Sequence, residues 1–174
     1  LQSNGTLDLP VRIQTDRLEE SFQDDHGQWG GILITSDSDN RLNYTDIFHS
    51  IVGVRVDSSA NATINNCEIA FTSANAILGV HSTISGSNNL LHSTLSHSIN
   101  LVHGGNYNFD HCTIYNESSQ THAVNINNYK CLDQFCTQAL KNTFDGIFRN
   151  CIFSGFNSDE VWIDDIDFED LDNS

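Results

Sequence analysis

Leu42-Asn-Tyr-Thr45-Asp-Ile47 returns 22 residues later as Ile64-Asn-Asn-Cys67-Glu-Ile69. The shared pattern is an apolar residue, two polar ones, a small one, any residue and a second apolar one. It recurs as Leu90-Leu-His-Ser93-Thr-Leu95, Phe109-Asp-His-Cys112-Thr-Ile114 and Phe148-Arg-Asn-Cys151-Ile-Phe153. The starts are spaced by 22, 26, 19 and 39 residues. The last interval becomes ordinary if it carries an inserted loop of about 17 residues. A second short segment follows each copy: residues 53–57, 76–80, 99–102, 123–127 and 161–164. These segments alternate apolar with polar, the signature of strands with one buried face. Asn, Ser, Asp and Gly cluster between them, as tight corners require.

Repeats of about 22 residues with two or three strands each describe an all-β parallel β-solenoid. One repeat cannot bury its own apolar face; stacking repeats roughly 4.8 Å apart joins the faces into one core. The pattern predicts an inward column of small residues, Thr45, Cys67, Ser93, Cys112 and Cys151. Two apolar columns flank it: Leu42, Ile64, Leu90, Phe109 and Phe148, then Ile47, Ile69, Leu95, Ile114 and Phe153. A helical bundle would need sustained apolar residues at i, i+3, i+4 and i+7, and only residues 132–140 hint at that.

Composition agrees. The 174 residues (19.4 kDa) suffice for one domain with a single core. Asn, Ser and Thr number 20, 19 and 12, a profile of short strands and turns. Seven Lys and Arg against 23 Asp and Glu give a net charge of −16, which repels a phosphate backbone and excludes nucleic acid as a partner. No apolar run is long enough for a transmembrane segment. The chain starts at Leu1 and ends in an acidic stretch, and it is expected to be an excerpt of a longer protein.

The series Asp16-Arg-Leu, Gly27-Gln-Trp-Gly-Gly-Ile32, Gly53-Val-Arg-Val-Asp57, Gly104-Gly-Asn-Tyr-Asn-Phe-Asp-His-Cys-Thr113 and Asn150-Cys-Ile152 resembles right-handed parallel β-helix repeat proteins of the Bacteroidota cell surface, many of them predicted lipoproteins. The resemblance spans residues 6–163. It implies a right-handed parallel β-helix of about five to six coils, with further coils on either side and an exported, cell-surface or secreted location. It brings no established activity. Residues 16–28 and 130–145 depart from the coil length and are expected to be loop insertions, either binding elements or covers.

Cys67, Cys112 and Cys151 read as small buried hydrophobes. Cys131 and Cys136 lie in the second insertion, where a disulfide closing the small loop is expected for an exported protein; a zinc site would need two more soft ligands nearby. Asp46 and Glu68 are expected to stack as a carboxylate pair that could hold Ca²⁺ or share a proton, or be a solvated pair. His92 and His111 are expected to stack likewise and could ligate a metal with Glu68. Arg55, Leu78, Asn100, Asn125 and Trp162 form one outward column, with Asp57, Val80, Val102, Asn127 and Asp164 beside it. Arg55, Asn100, Asn125, Asn127 and Trp162 suit sugar binding, since an aromatic ring stacks on a sugar's apolar face and amides bond its hydroxyls; an Asn ladder holding coils together is the structural alternative. Residues 164–170 resemble a Ca²⁺ loop but lack the glycine at its sixth position. No catalytic motif stands out, and the four Asn-x-Ser/Thr sites are what this composition yields by chance.

These readings lead to a non-catalytic binding or scaffolding domain directed at polysaccharide or another envelope component, including an envelope protein. Two alternatives stay open: part of a polysaccharide-active enzyme, lyase rather than hydrolase, and a structural spacer in a larger surface complex.

Overall fold

The structure is a computed structural model that describes residues 1–17, 19–35 and 38–166. It is all-β, with one short 3₁₀ turn at Glu20–Phe22 among the described residues. Apart from one antiparallel hairpin, its strands pair in parallel, each with the strand about one repeat away in sequence.

The registers sort the strands into three faces. The first stacks Ile32–Ile34, Val54–Val56, the start of Ile77–Ser87, the start of Ile99–Asp110, Val124–Asn127 and Val161–Asp164. The second stacks Gln2–Asn4, Arg41–Asn43, Asn61–Asn65, the ends of the two long strands, and Phe144–Arg149. The third stacks Val11–Ile13, Thr45–Phe48, Glu68–Thr72, Leu90–Thr94, Thr113–Tyr115 and Ile152–Ser154. Each face contributes aliphatic residues to the interior. Ile47, Ile64, Ile69, Ile77, Leu91, Ile99, Phe109 and Ile114 are fully buried in one core.

The corners recur as columns of left-handed residues. Tyr44, Asn66, Asn88, His111 and Asn150 have φ between 48° and 55° and lead into the third face. His49, Phe71 and Ser93 leave it; Ser59, His81 and His103 join the first face to the second. Non-glycine residues adopt this conformation at a cost, least for Asn. Side chains repay it along the stack: Asn66 Nδ2 donates to Asn43 Oδ1 at 3.0 Å, and Asn88 Nδ2 to Asn66 Oδ1 at 2.9 Å.

The third copy of the pattern lies in a different register from the one its sequence suggests. Leu91, not Leu95, stands beside Ile69, and the copy is Gly86-Ser-Asn-Asn89-Leu-Leu91. Leu90 and Leu95 are exposed, and Ser93 sits at a corner rather than in the small column. The reason is steric. A Cβ on Gly86 would lie 2.7 Å from Phe109 Cδ1, so the ring of one repeat occupies the space a side chain at position 86 would fill. Asn89 takes the place of Cys67 and satisfies its own polarity: its Nδ2 donates to Ile64 O at 2.7 Å and its Oδ1 accepts from Cys67 N at 2.9 Å.

Candidate ligand-binding face

The outward column of the first face runs Leu33, Arg55, Leu78, Asn100, Asn125 and Trp162, one residue per strand. From Arg55 to Asn125 these residues alternate with inward Val, Ile and Leu, so the core pattern itself points them to solvent; the neighbours of Trp162, Val161 and Ile163, are themselves exposed. Asn125 Nδ2 donates to Asn100 Oδ1 at 2.9 Å. Arg55 Nε donates to Asp57 Oδ1 at 2.6 Å. Asn127 lies in the adjacent column, and its Oδ1 accepts from His103 N at 2.8 Å, holding the bend of the neighbouring strand.

Trp162 is half exposed. His122 stacks on it with centroids 5.3 Å apart and planes 11° from parallel; His97 stacks on His122 at 6.2 Å and 11°. Backbone carbonyls hold these rings. Asn75 Nδ2 donates to His97 O, His97 Nδ1 to His122 O, and His122 Nδ1 to Asp159 O, at 2.9, 2.9 and 2.6 Å. A carbonyl only accepts, so Nδ1 carries the hydrogen in both rings. Burial holds the His97 imidazole below its ordinary pKa, the bond to His122 O opposes this, and the proximity of His122 adds to it. Sequence reasoning missed the two histidines. Their signal was the shared offset: Asn75, His97 and His122 each stand two residues before the first inward residue of a strand, Ile77, Ile99 or Val124.

The residues expected to bind a metal do not all converge. Asp46 and Glu68 are neighbours in register, but Arg12 Nη2 reaches Asp46 Oδ2 at 3.3 Å and His92 Nε2 reaches Glu68 Oε1 at 3.0 Å. His92 is paired with Ala70. His111 stands in another corner, where Asn150 Nδ2 lies 3.2 Å from its Nε2. The expected His92–His111 stack is therefore corrected; it followed from the misplaced third copy. No group of three or more His, Cys, Asp or Glu suited to a metal ion occurs among the described residues. The Ca²⁺-like stretch lies partly outside the described residues.

His92 Nδ1 is also 3.0 Å from Ser93 Oγ, which gives a Glu68–His92–Ser93 series. Ser93 donates its hydroxyl to Glu117 Oε1 at 3.0 Å. Its proton is thus directed away from His92, unlike the arrangement that activates a serine nucleophile.

The two insertions differ in role. The end of the first insertion, residues 26–28, and the adjoining Trp29 pack on the corner at His49 and Phe71: Gln28 N donates to His49 O, Trp29 Nε1 donates to Phe48 O, and His26 meets Phe71 edge-on. The second insertion is an antiparallel hairpin, Tyr129–Cys131 with Ala139–Lys141, and a disulfide joins Cys131 to Cys136. Asp133 caps its tip, accepting from the backbone of Phe135, Thr137 and Gln138 and from the Thr137 hydroxyl. The Thr137 side chain first, then these amides, hold its carboxyl down at about 2. Cys67 and Cys112 remain thiols, pushed up to about 11 by burial.

No protein-family model matches the chain, and no curated protein or solved structure shows significant similarity to it.

Proposed function

We propose that the three parallel faces are the walls of a right-handed parallel β-helix of about five to six coils, and that this is an exported, surface-associated domain that binds polysaccharide on its first face without catalysis. One observation carries the reading. The half-exposed Trp162 ring, stacked on His122 and through it on His97, stands in the same outward column as the bonded Asn100–Asn125 amides. An aromatic face takes the C–H surface of a sugar ring, and amides offer donors and acceptors to its hydroxyls. Both groups sit on rigid strands, so little ordering entropy opposes binding.

The test is affinity electrophoresis through gels containing neutral polysaccharides, comparing the native chain with Trp162→Ala and Asn125→Ala. Retardation in at least one glycan, weakened by both substitutions, is expected. Retardation unchanged by both would refute this face as the site. Shortening of the glycan during the run would move the reading to a polysaccharide-active enzyme.

A further inference from the structure

The disulfide-closed hairpin stands over the first face and creates a groove. It is anchored where the strand Ile99–Asp110 bulges. His81 alone lies opposite His103 and Gly104, because Val80 pairs with Val102 and Ser82 with Gly105. The two extra backbone groups are taken up by the insertion: Asn142 Nδ2 donates to His103 O and Gly105 N to Thr143 O, both at 2.9 Å. Gly104 has φ +74°, and a Cβ there would lie 2.6 Å from Thr143 O. The groove so formed has a volume of about 490 Å³.

Its lining runs against the charge of the whole chain. Arg55, His81, His103 and Lys130 line it with uncharged Ser58 and Asn142, and no carboxylate does. Two of only seven Lys and Arg meet there, in a chain with 23 Asp and Glu. Arg12, Arg41 and Arg149 are each paired with an acid on the surface. Lys130 has no salt-bridge partner among the described residues, and Arg55 touches Asp57 through Nε. His81 Nδ1 faces His103 O at 3.2 Å, so Nδ1 donates. Burial lowers the basicity of His103, and the neighbouring Lys130 and His81 lower it further. Two cations, Arg55 and Lys130, border the open volume, and an anion placed there gains from both. At physiological salt the screening length is about 8 Å, so a ligand in the groove senses Arg55 and Lys130, with Asp57 on the Nε of Arg55, more than acids farther away.

We propose that this groove holds the acidic group of an anionic sugar chain, a carboxylate or a sulfate ester, on Arg55, Lys130, His81 and His103. The inference rests on the polysaccharide reading and narrows it: Trp162 and the amides hold the sugar rings, and the groove selects chains that carry negative charge. The groups facing His103 are His81 on the adjacent strand, Lys130 and Asn142 on the insertion, and Asn127, whose Oδ1 accepts from its backbone. None of these is an acid; the carboxylate that meets the groove's lining is Asp57, on Arg55 Nε.

The test is an NMR titration that follows the His81 and His103 ring signals. Galacturonate, galactose 6-sulfate and galactose are added separately to the full chain. Both acidic sugars, or the one whose geometry fits, shift the two rings, and galactose does not. Lys130→Gln weakens the response about fivefold and Lys130→Arg restores it; Glu68→Gln, on the third face, leaves it in place. The proposal is overturned if galactose shifts the rings as much as the acidic sugars, if neither acidic sugar shifts them, or if Lys130→Gln changes nothing. Loss of the anion response with neutral-glycan binding through Trp162 intact would overturn the groove alone. An anion response with no effect of Trp162→Ala on any glycan would overturn the platform and leave the groove.

Discussion

Replacing Phe109 with Ala tests the stacking order most sharply. The ring is fully buried, lies 5.2 Å from that of Phe148 with planes 12° apart, and fills the space above Gly86. Truncating a buried Phe to Ala costs about 3–5 kcal/mol. Gly86→Ala alone puts a methyl 2.7 Å from Phe109 Cδ1 and 3.0 Å from Asn89 Nδ2, overpacking that costs about 1–3 kcal/mol. In the Phe109→Ala background the same methyl enters the vacated volume. The double variant is therefore less destabilised than the sum of the singles by about 1–2 kcal/mol, a typical coupling for residues in contact. Urea unfolding of the four proteins, at equal slope, measures this. Additivity within about 0.5 kcal/mol would falsify the contact, and with it the register that sets Gly86 beside Phe109. In the register suggested by Leu90-Leu-His-Ser93-Thr-Leu95 the two residues are not partners.

Other consequences are independent of this one. Cys67 and Cys112, with thiol pKa values raised from 9.0 to about 11, react with a thiol reagent at pH 8 far more slowly than the partly exposed Cys151; equal rates for all three would contradict their burial. Because these pKa values are raised on folding, their stabilising contribution is complete below pH 9.0 and fades as pH rises through about 11. Asp133 behaves oppositely. Its pKa is depressed from 3.8 to about 2, so the capped hairpin tip is intact above pH 3.8 and opens as pH falls through about 2. Hydrogen exchange at the Phe135, Thr137 and Gln138 amides reports it, and unchanged protection at pH 1.5 would refute the cap. Reducing the Cys131–Cys136 disulfide loosens the hairpin that walls the groove, so acidic-sugar binding weakens while neutral-glycan binding at Trp162 persists.

The parallel all-β stacking was legible because the apolar alternation and the 22-residue return are local signals of a non-local pairing. The outward column from Arg55 to Trp162 was read in its observed register for the same reason. The third copy was not, because a pattern of residue types is blind to complementarity between layers: Gly86 is small only because Phe109 is large, and Asn89 is polar in a buried column because two backbone groups satisfy it. That slip placed His92 above His111 and suggested a metal stack. The His97–His122–Trp162 pile was hidden by position, since its histidines lie in turns. The basic groove was hidden by topology, as it joins residues from positions 55, 81, 103 and 130.

The most direct test of the central claim is saturation-transfer NMR with a polysaccharide that retards the chain in a gel. Irradiating the glycan is predicted to attenuate the Trp162 indole N–H and the Asn100 and Asn125 side-chain amides first. Attenuation confined to the third face, around Glu68 and His92, would contradict the account.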